Sequence, residues 1–111
     1  MSFAKRFIGA ENLPSRLSDM DVQQSFCLSV DDVAAVAARF RHDRRVAAAI
    51  QMLFLRASGR PMDRFASVPR TLLRSVSDAF QSAAVTIASL RSLYARRQTL
   101  YEHQAWARTY L

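Results

Sequence analysis

His42 to Pro61 reads HDRRVAAAIQMLFLRASGRP, a mostly apolar run preceded by a basic cluster and ended sharply by Gly59 and Pro61. With Ile50 at the centre of a helical face, Val46, Leu53, Phe54 and Ala57 share one stripe, and Met52, Leu55 and Ala48 carry apolar character round the back. Arg44 and Gln51 on one flank, and Arg45 and Arg56 on the other, interrupt it. A helix that is apolar nearly all round belongs inside a protein, so Asp43 to Ala57 is expected to be the central helix of a small bundle. Asp43 is the expected cap, its carboxylate accepting from the free N–H groups that follow.

The flanking sequence supplies shorter helices around it. Ser18 or Asp19 can cap a helix with Met20, Val22 and Phe26 on its apolar side, and Cys27 beside Phe26 reads as a buried filler. Ser29 precedes Val30-Asp31-Asp32, and Val33, Val36, Ala37 and Phe40 then recur at i, i+3, i+4 and i+7. Two acids open that helix and Arg39 and Arg41 close it, as the helix dipole favours. After a loop in which Met62 and Phe65 are expected to reach the core, Ser67 is read as the cap of a helix opening with Pro69. Leu72, Leu73, Val76, Ala79 and Phe80 form its apolar side, with Arg74 and Asp78 as an i, i+4 pair. Gln81-Ser82-Ala83 is a weak break before a helix carrying Ile87, Leu90 and Tyr94, and a last helix begins at Arg97-Gln98-Thr99. The expected fold is all-α, a compact bundle of about five to six helices. Residues 1–15 are expected to form a loosely ordered N-terminal arm and residues 16–111 the domain proper, with Phe3, Phe7 and Ile8 able to dock.

The charge is lopsided. Sixteen basic residues face nine acidic ones, for a net charge of +7, and fifteen of the sixteen are arginine. Residues 1–38 carry three basic and five acidic side chains, net −2, whereas residues 39–111 carry thirteen arginines against four acids, net +9. Arginine prefers planar anionic partners such as phosphate, so nucleic acid is the expected partner of the basic part. An inert arginine-rich surface is the alternative on charge alone.

Catalysis has little to build on. No set of acids, nucleophile and base, or metal ligands stands at working spacing, and no P-loop, G-x-G-x-x-G or G-x-S-x-G occurs. Asp31 and Asp32 read as helix-start acids. His42 and His103 read as surface or phosphate-contacting groups. Cys27 is alone, which excludes an internal disulfide. Neither a catalytic residue, a cofactor nor a metal site is expected, and no apolar run is long enough to span a bilayer. No signal-peptide pattern opens the chain, so a bacterial cytoplasmic location is expected.

The segment from Pro69 to Gln98, PRTLLRSVSDAFQSAAVTIASLRSLYARRQ, has the outline of two helices joined by a tight turn. That is the form of a helix-turn-helix, whose second helix can enter the major groove. Its outward face would carry Ser89, Ser92 and Arg96, with Arg91 on the flank. Short polar side chains allow close approach, and arginine can bond guanine bidentately. An ordinary helical hairpin is the alternative.

From Leu17 onward the chain resembles the N-terminal DNA-binding region of the large replicative transposases of the transposon Tn-three family. The residues that carry the likeness are Leu17-Ser18-Asp19, Phe26-Cys27-Leu28-Ser29, and above all His42-Asp43-Arg44-Arg45 followed by Ile50-Gln51-Met52-Leu53, Leu55-Arg56 and Gly59. Val68-Pro69, Tyr94-Ala95-Arg96-Arg97, Thr99 and Glu102-His103 continue it in order. Arg45-Val46-Ala47 stands where the family has Leu-Gly-Phe, and Asp43 where it has Asn. The resemblance implies a module that binds the terminal inverted repeats of a mobile element during transposition, a form of DNA recombination. Members of the family are much longer and carry a ribonuclease-H-like catalytic domain to which nothing here corresponds, so the chain is expected to be non-catalytic. Arg44, Arg45, Arg96 and Arg97 are the expected DNA contacts, with Arg91, Ser89 and Ser92 as secondary ones. Two other readings stay open: a module that docks on the catalytic part of a transposase or on a second copy of itself, through Phe3, Phe7, Trp106 and Tyr110, and a stand-alone regulator of transposition.

Overall fold

The computed structural model describes residues 7–82 and 85–111. Six helices follow one another: α1 (Asp19–Ser25), α2 (Val30–Arg39), α3 (Arg45–Ser58), α4 (Arg70–Ala79), α5 (Ile87–Ala95) and α6 (Arg97–Tyr110), with no strand among the described residues. The fold is an all-α bundle, as the periodicities require.

The central helix is the one expected. Every residue of α3 from Val46 to Phe54 is buried, and so are Ala57 and Ser58. Three alanines in a row, Ala47 to Ala49, each wholly buried, let neighbouring helices approach its first turns closely. Gly59 ends it in the left-handed conformation (φ 80°), donating its N–H to the Leu55 carbonyl, a position where a Cβ would be strained.

The start of α3 differs from expectation. Asp43 is exposed and caps nothing. The chain instead makes a turn in which the Arg44 N–H donates to the Arg41 carbonyl, and α3 begins one residue later, at Arg45, without a side-chain cap. Arg45 explains this geometry. Its Nε donates to the Phe40 carbonyl (3.1 Å) and its Nη2 to that of Ala37 (3.3 Å), so it caps the C-terminus of α2 while starting α3.

At its other end α3 lies beside the start of α2, where Arg56 meets Asp32. The two helices are therefore antiparallel. Helix α6 runs the other way, parallel to α3. Ala47 and His103 both contact the Tyr94 hydroxyl, Gln51 and Gln104 both donate to the Met62 carbonyl, and Arg56 and Tyr110 both bond Asp32. Contacts thus advance along both helices in the same direction.

Ser18 and Ser29 cap α1 and α2 in reciprocal capping boxes with Asp21 and Asp32. Ser67 does not cap α4. Its hydroxyl donates to the Leu13 carbonyl, and Pro69 occupies the cap position of a helix that starts at Arg70. Arg74 and Asp78, expected as a pair, are both exposed and unpaired among the described residues. Cys27 is exposed rather than buried, because α1 stops at Ser25 and Phe26 takes the core position (1% exposed).

The expected loose arm is part of the body from Phe7 onward. Phe7 packs edge-to-face on Phe26 at 5.1 Å, the Gly9 N–H donates to the Ser58 carbonyl, and Leu13 and Leu17 are buried. Met62 and Phe65 reach the core as expected. The means is Gln51, wholly buried, which brackets the Met62 backbone: Nε2 donates to its carbonyl (2.8 Å) and Oε1 accepts from its N–H (2.7 Å).

Candidate nucleic-acid interface

Between α4 and α5 lies a seven-residue link, Phe80 to Thr86, rather than a tight turn, and residues 83 and 84 of the expected break lie outside the described residues. Gln81 takes a positive φ of 52° in this link, which has no glycine to relieve it. Helix α4 packs on α3 and α1, whereas α5 packs on α6. The pair therefore departs from the close helix-turn-helix outline.

On α5, Leu90 and Tyr94 face the core, leaving Ala88, Ser89, Arg91, Ser92 and Ala95 exposed. Thr86 caps this helix through the Ser89 N–H, and the Ser89 hydroxyl donates back to the Thr86 carbonyl (2.7 Å). Arg91 is engaged within the fold: Nε donates to the Phe65 carbonyl (2.8 Å) and Nη2 to that of Ala66 (2.6 Å). Arg96, expected on the outward face of α5, sits instead at the kink between α5 and α6 with φ −83° and ψ 105°.

Three of the four leading arginines come together. Arg44, at the start of α3, and Arg96 and Arg97, at the start of α6, line a cleft of about 470 Å³ with Gln98, Thr99 and Glu102. Arg97 also borders a larger groove of about 960 Å³, which takes in Arg60, Arg64 and Arg91 with Glu11 and Asp63. Arg60 is paired with Glu11 at 3.0 Å. The side chains of Arg44, Arg96 and Arg97 have no hydrogen bond or ion pair among the described residues, and Arg44 Nε is buried without a partner. Arg45, the fourth, is committed to α2. The structure thus gathers Arg44, Arg96 and Arg97, adds Arg91 from the adjoining groove, and leaves Ser89 and Ser92 outside both.

A family model described as "Domain of unknown function (DUF4158)" matches residues 10–111. The chain belongs to that family. Over 105 residues it is also 34% identical to the "Transposase for insertion sequence element IS1071 in transposon Tn5271" of Comamonas testosteroni. The match takes in 95% of this chain and 11% of that protein, so the chain is related to a small part of a transposase. No solved structure matches.

Behind the cleft lies a buried polar cluster that periodicity does not reveal. His103 is not a surface group but 1% exposed. Its Nδ1 lies 2.9 Å from the Tyr94 hydroxyl, and its ring meets Phe40 edge-on at 4.8 Å. Burial, with the positive charges of Arg44 and Arg39, pushes its pKa down from 6.5 to about 4, so the imidazole is neutral at pH 7. Burial likewise pushes the Tyr94 hydroxyl well above its ordinary range. Trp106 and Tyr110 are not a free aromatic surface. Trp106 lies between Phe40 and Tyr110, and the Tyr110 hydroxyl donates to Asp32 at 2.6 Å. Phe3 lies outside the described residues. Among the described residues no helix is long and apolar enough to cross a membrane.

Proposed function

We propose that the chain is a non-catalytic double-stranded DNA-binding module that recognises the terminal inverted repeats of a transposon, and that it corresponds to the N-terminal DNA-binding region of Tn-three family transposases. The observation that carries this reading is the set of Arg44, Arg96 and Arg97, three cations gathered in one cleft without partners inside the fold. Charges that a fold gathers and does not neutralise are suited to an external polyanion. The likeness to a transposase supports DNA as that polyanion.

In this reading Arg44 and Arg97 hold backbone phosphate, with Arg45 and Arg91 placing the site by bracing α2–α3 and the 65–66 loop. Apart from Arg91, which turns to the 65–66 loop, the exposed face of α5 carries short side chains at Ala88, Ser89, Ser92 and Ala95, which suits close approach to a groove, and Ser92 with Arg96 would read bases. The aromatic docking surface of the alternative reading has no supporting observation, since Phe7, Trp106 and Tyr110 are engaged in packing. The catalytic part of a transposase would be the module's partner within a longer protein, in the bacterial cytoplasm where its DNA lies.

Fluorescence anisotropy against a transposon-end duplex and a scrambled one, at several salt concentrations, tests the proposal. Each phosphate contact contributes a slope of about −0.9 in log affinity against log salt. Arg44→Ala with Arg97→Ala should weaken both complexes and flatten the slope. Ser92→Ala should weaken only the cognate complex, by about 1–3 kcal/mol if a base contact is lost. No binding to any duplex at low salt would overturn the reading.

A further inference from the structure

We propose that the N-terminal ends of α3 and α6 together form one seat for a single phosphate group, a discrete anion site rather than a diffuse basic surface. The inference rests on the DNA-binding reading only for its biological ligand, a backbone phosphodiester.

The helix starts fall into two groups. Side chains cap α1, α2 and α5 (Ser18, Ser29 and Thr86), and acids stand in the first turns of α1 and α2. Helices α3 and α6 have neither a side-chain cap nor an acid in the first turn. Because the two helices run parallel, their positive dipole ends lie at the same end of the pair, where residues from both starts line one cleft, and the N–H groups of their first turns have no intrahelical acceptor. Instead of a compensating acid, this end carries three arginines.

Thr99 provides an independent pointer. It is 6% exposed and lines the cleft, yet its hydroxyl makes no hydrogen bond among the described residues. Arg44 Nε is likewise buried and unpartnered. The Thr99 hydroxyl, unpartnered and lining the cleft, and the guanidinium of Arg44 on the same cleft are donors from which a tetrahedral oxyanion would accept. Glu102 is the one acid lining it, outside the first turn. Helix α4 also starts without a side-chain cap, but it borders neither cavity and so serves as an internal control.

Titrating the ¹⁵N-labelled full chain with sodium phosphate, against sodium chloride at matched ionic strength, reads the seat directly. Saturable amide shifts are expected at Arg45, Val46 and Ala47 and at Arg97, Gln98 and Thr99, while Arg70 to Leu72 of α4 stay still. Arg97→Glu, an exposed position that the fold does not use, should weaken phosphate binding at least ten-fold, and Arg44→Ala should do the same. Shifts that fail to saturate, that chloride reproduces, or that include α4 equally would overturn the seat.

A short duplex separates the sources of the phosphate. Movement of the same amides, reversed by excess free phosphate, would support a backbone phosphodiester as the ligand. A duplex that binds without moving them would overturn the seat and leave the DNA-binding reading standing. Saturable phosphate binding with no duplex binding at low salt would support the seat and overturn that reading.

Discussion

The two ends of the α3–α6 pair use arginine in opposite ways. At the C-terminal end, Arg56 donates to Asp32 through Nη1 (3.0 Å) and Nη2 (2.8 Å), and Tyr110 donates to the same carboxylate at 2.6 Å. Hydrogen bonds from Arg56, then Tyr110 and the Ser29 N–H, hold the Asp32 carboxyl far below the usual carboxylate range against the opposing effect of burial. At the N-terminal end, Arg44, Arg96 and Arg97 meet no carboxylate within salt-bridge distance among the described residues. The closed end fastens α2, α3 and α6 together. The open end accumulates positive charge that the fold leaves uncompensated. Net charge alone cannot distinguish these uses. Whether the counter-charge is supplied inside the fold does.

The largest expected effect lies at the closed end. Asp32→Ala removes the acceptor for Arg56 and Tyr110 and the reciprocal half of the α2 capping box. Breaking such a pair from the buried side should cost about 3 kcal/mol, toward the low end for buried pairs because Arg56 is partly exposed. Urea unfolding at pH 7 measures it, and DNA affinity under folded conditions should stay unchanged. A loss below about 1 kcal/mol would mean that the closed end is no stronger than an ordinary surface ion pair.

The second effect tests the polar cluster between the two ends. The folded chain protonates His103 only near pH 4, whereas the unfolded chain does so near 6.5. Between those values the unfolded state binds more protons, so stability falls as pH drops from about 6.5 to about 4, then levels off with respect to this group. A difference of that size corresponds to roughly 3 kcal/mol. Protonation of Asp32 gives a separate loss, which begins as pH falls below about 4. Urea titrations from pH 7 to 4.5 should therefore show a steady loss that His103→Leu flattens. A wild-type profile flat over that window would contradict a buried neutral imidazole.

Much of this architecture was legible because periodicity reports burial. Ile50 with Val46, Leu53, Phe54 and Ala57 located the central helix, and Ser18 and Ser29 marked two helix starts. Periodicity was silent where a polar side chain is buried by a specific long-range partner. Gln51 reads as a flank residue until the oxygen and nitrogen of its amide are seen to bracket the Met62 backbone, eleven positions on. His103 reads as a surface group until Tyr94 and Phe40 enclose it. The site was half legible for the same reason. The family-like pattern singled out Arg44, Arg45, Arg96 and Arg97, but spacing could not reveal that Arg45 turns back on α2 or that Arg91 grips the 65–66 loop. Nor could it show that α3 and α6 run parallel, which is what brings the other three together.

The smallest expected effect is the most discriminating, because it predicts opposite signs for stability and binding. Position 97 is the first residue of α6, exposed, without a partner among the described residues, and beside two other arginines. A negative charge in the first turn of a helix is favourable, and here it would also relieve repulsion with Arg44 and Arg96. Arg97→Glu should therefore stabilise the free chain by about 0.3–1 kcal/mol at low ionic strength, a gain that fades as salt screens it. The same substitution should weaken DNA binding, because it places an acid where a phosphate would sit. Urea midpoints at two salt concentrations, paired with anisotropy on the same preparation, give both signs. If Arg97→Glu destabilises the chain, Arg97 has a role inside the fold and the open end is not open. If it stabilises the chain and leaves DNA affinity untouched, the uncompensated charge serves some other anion than DNA.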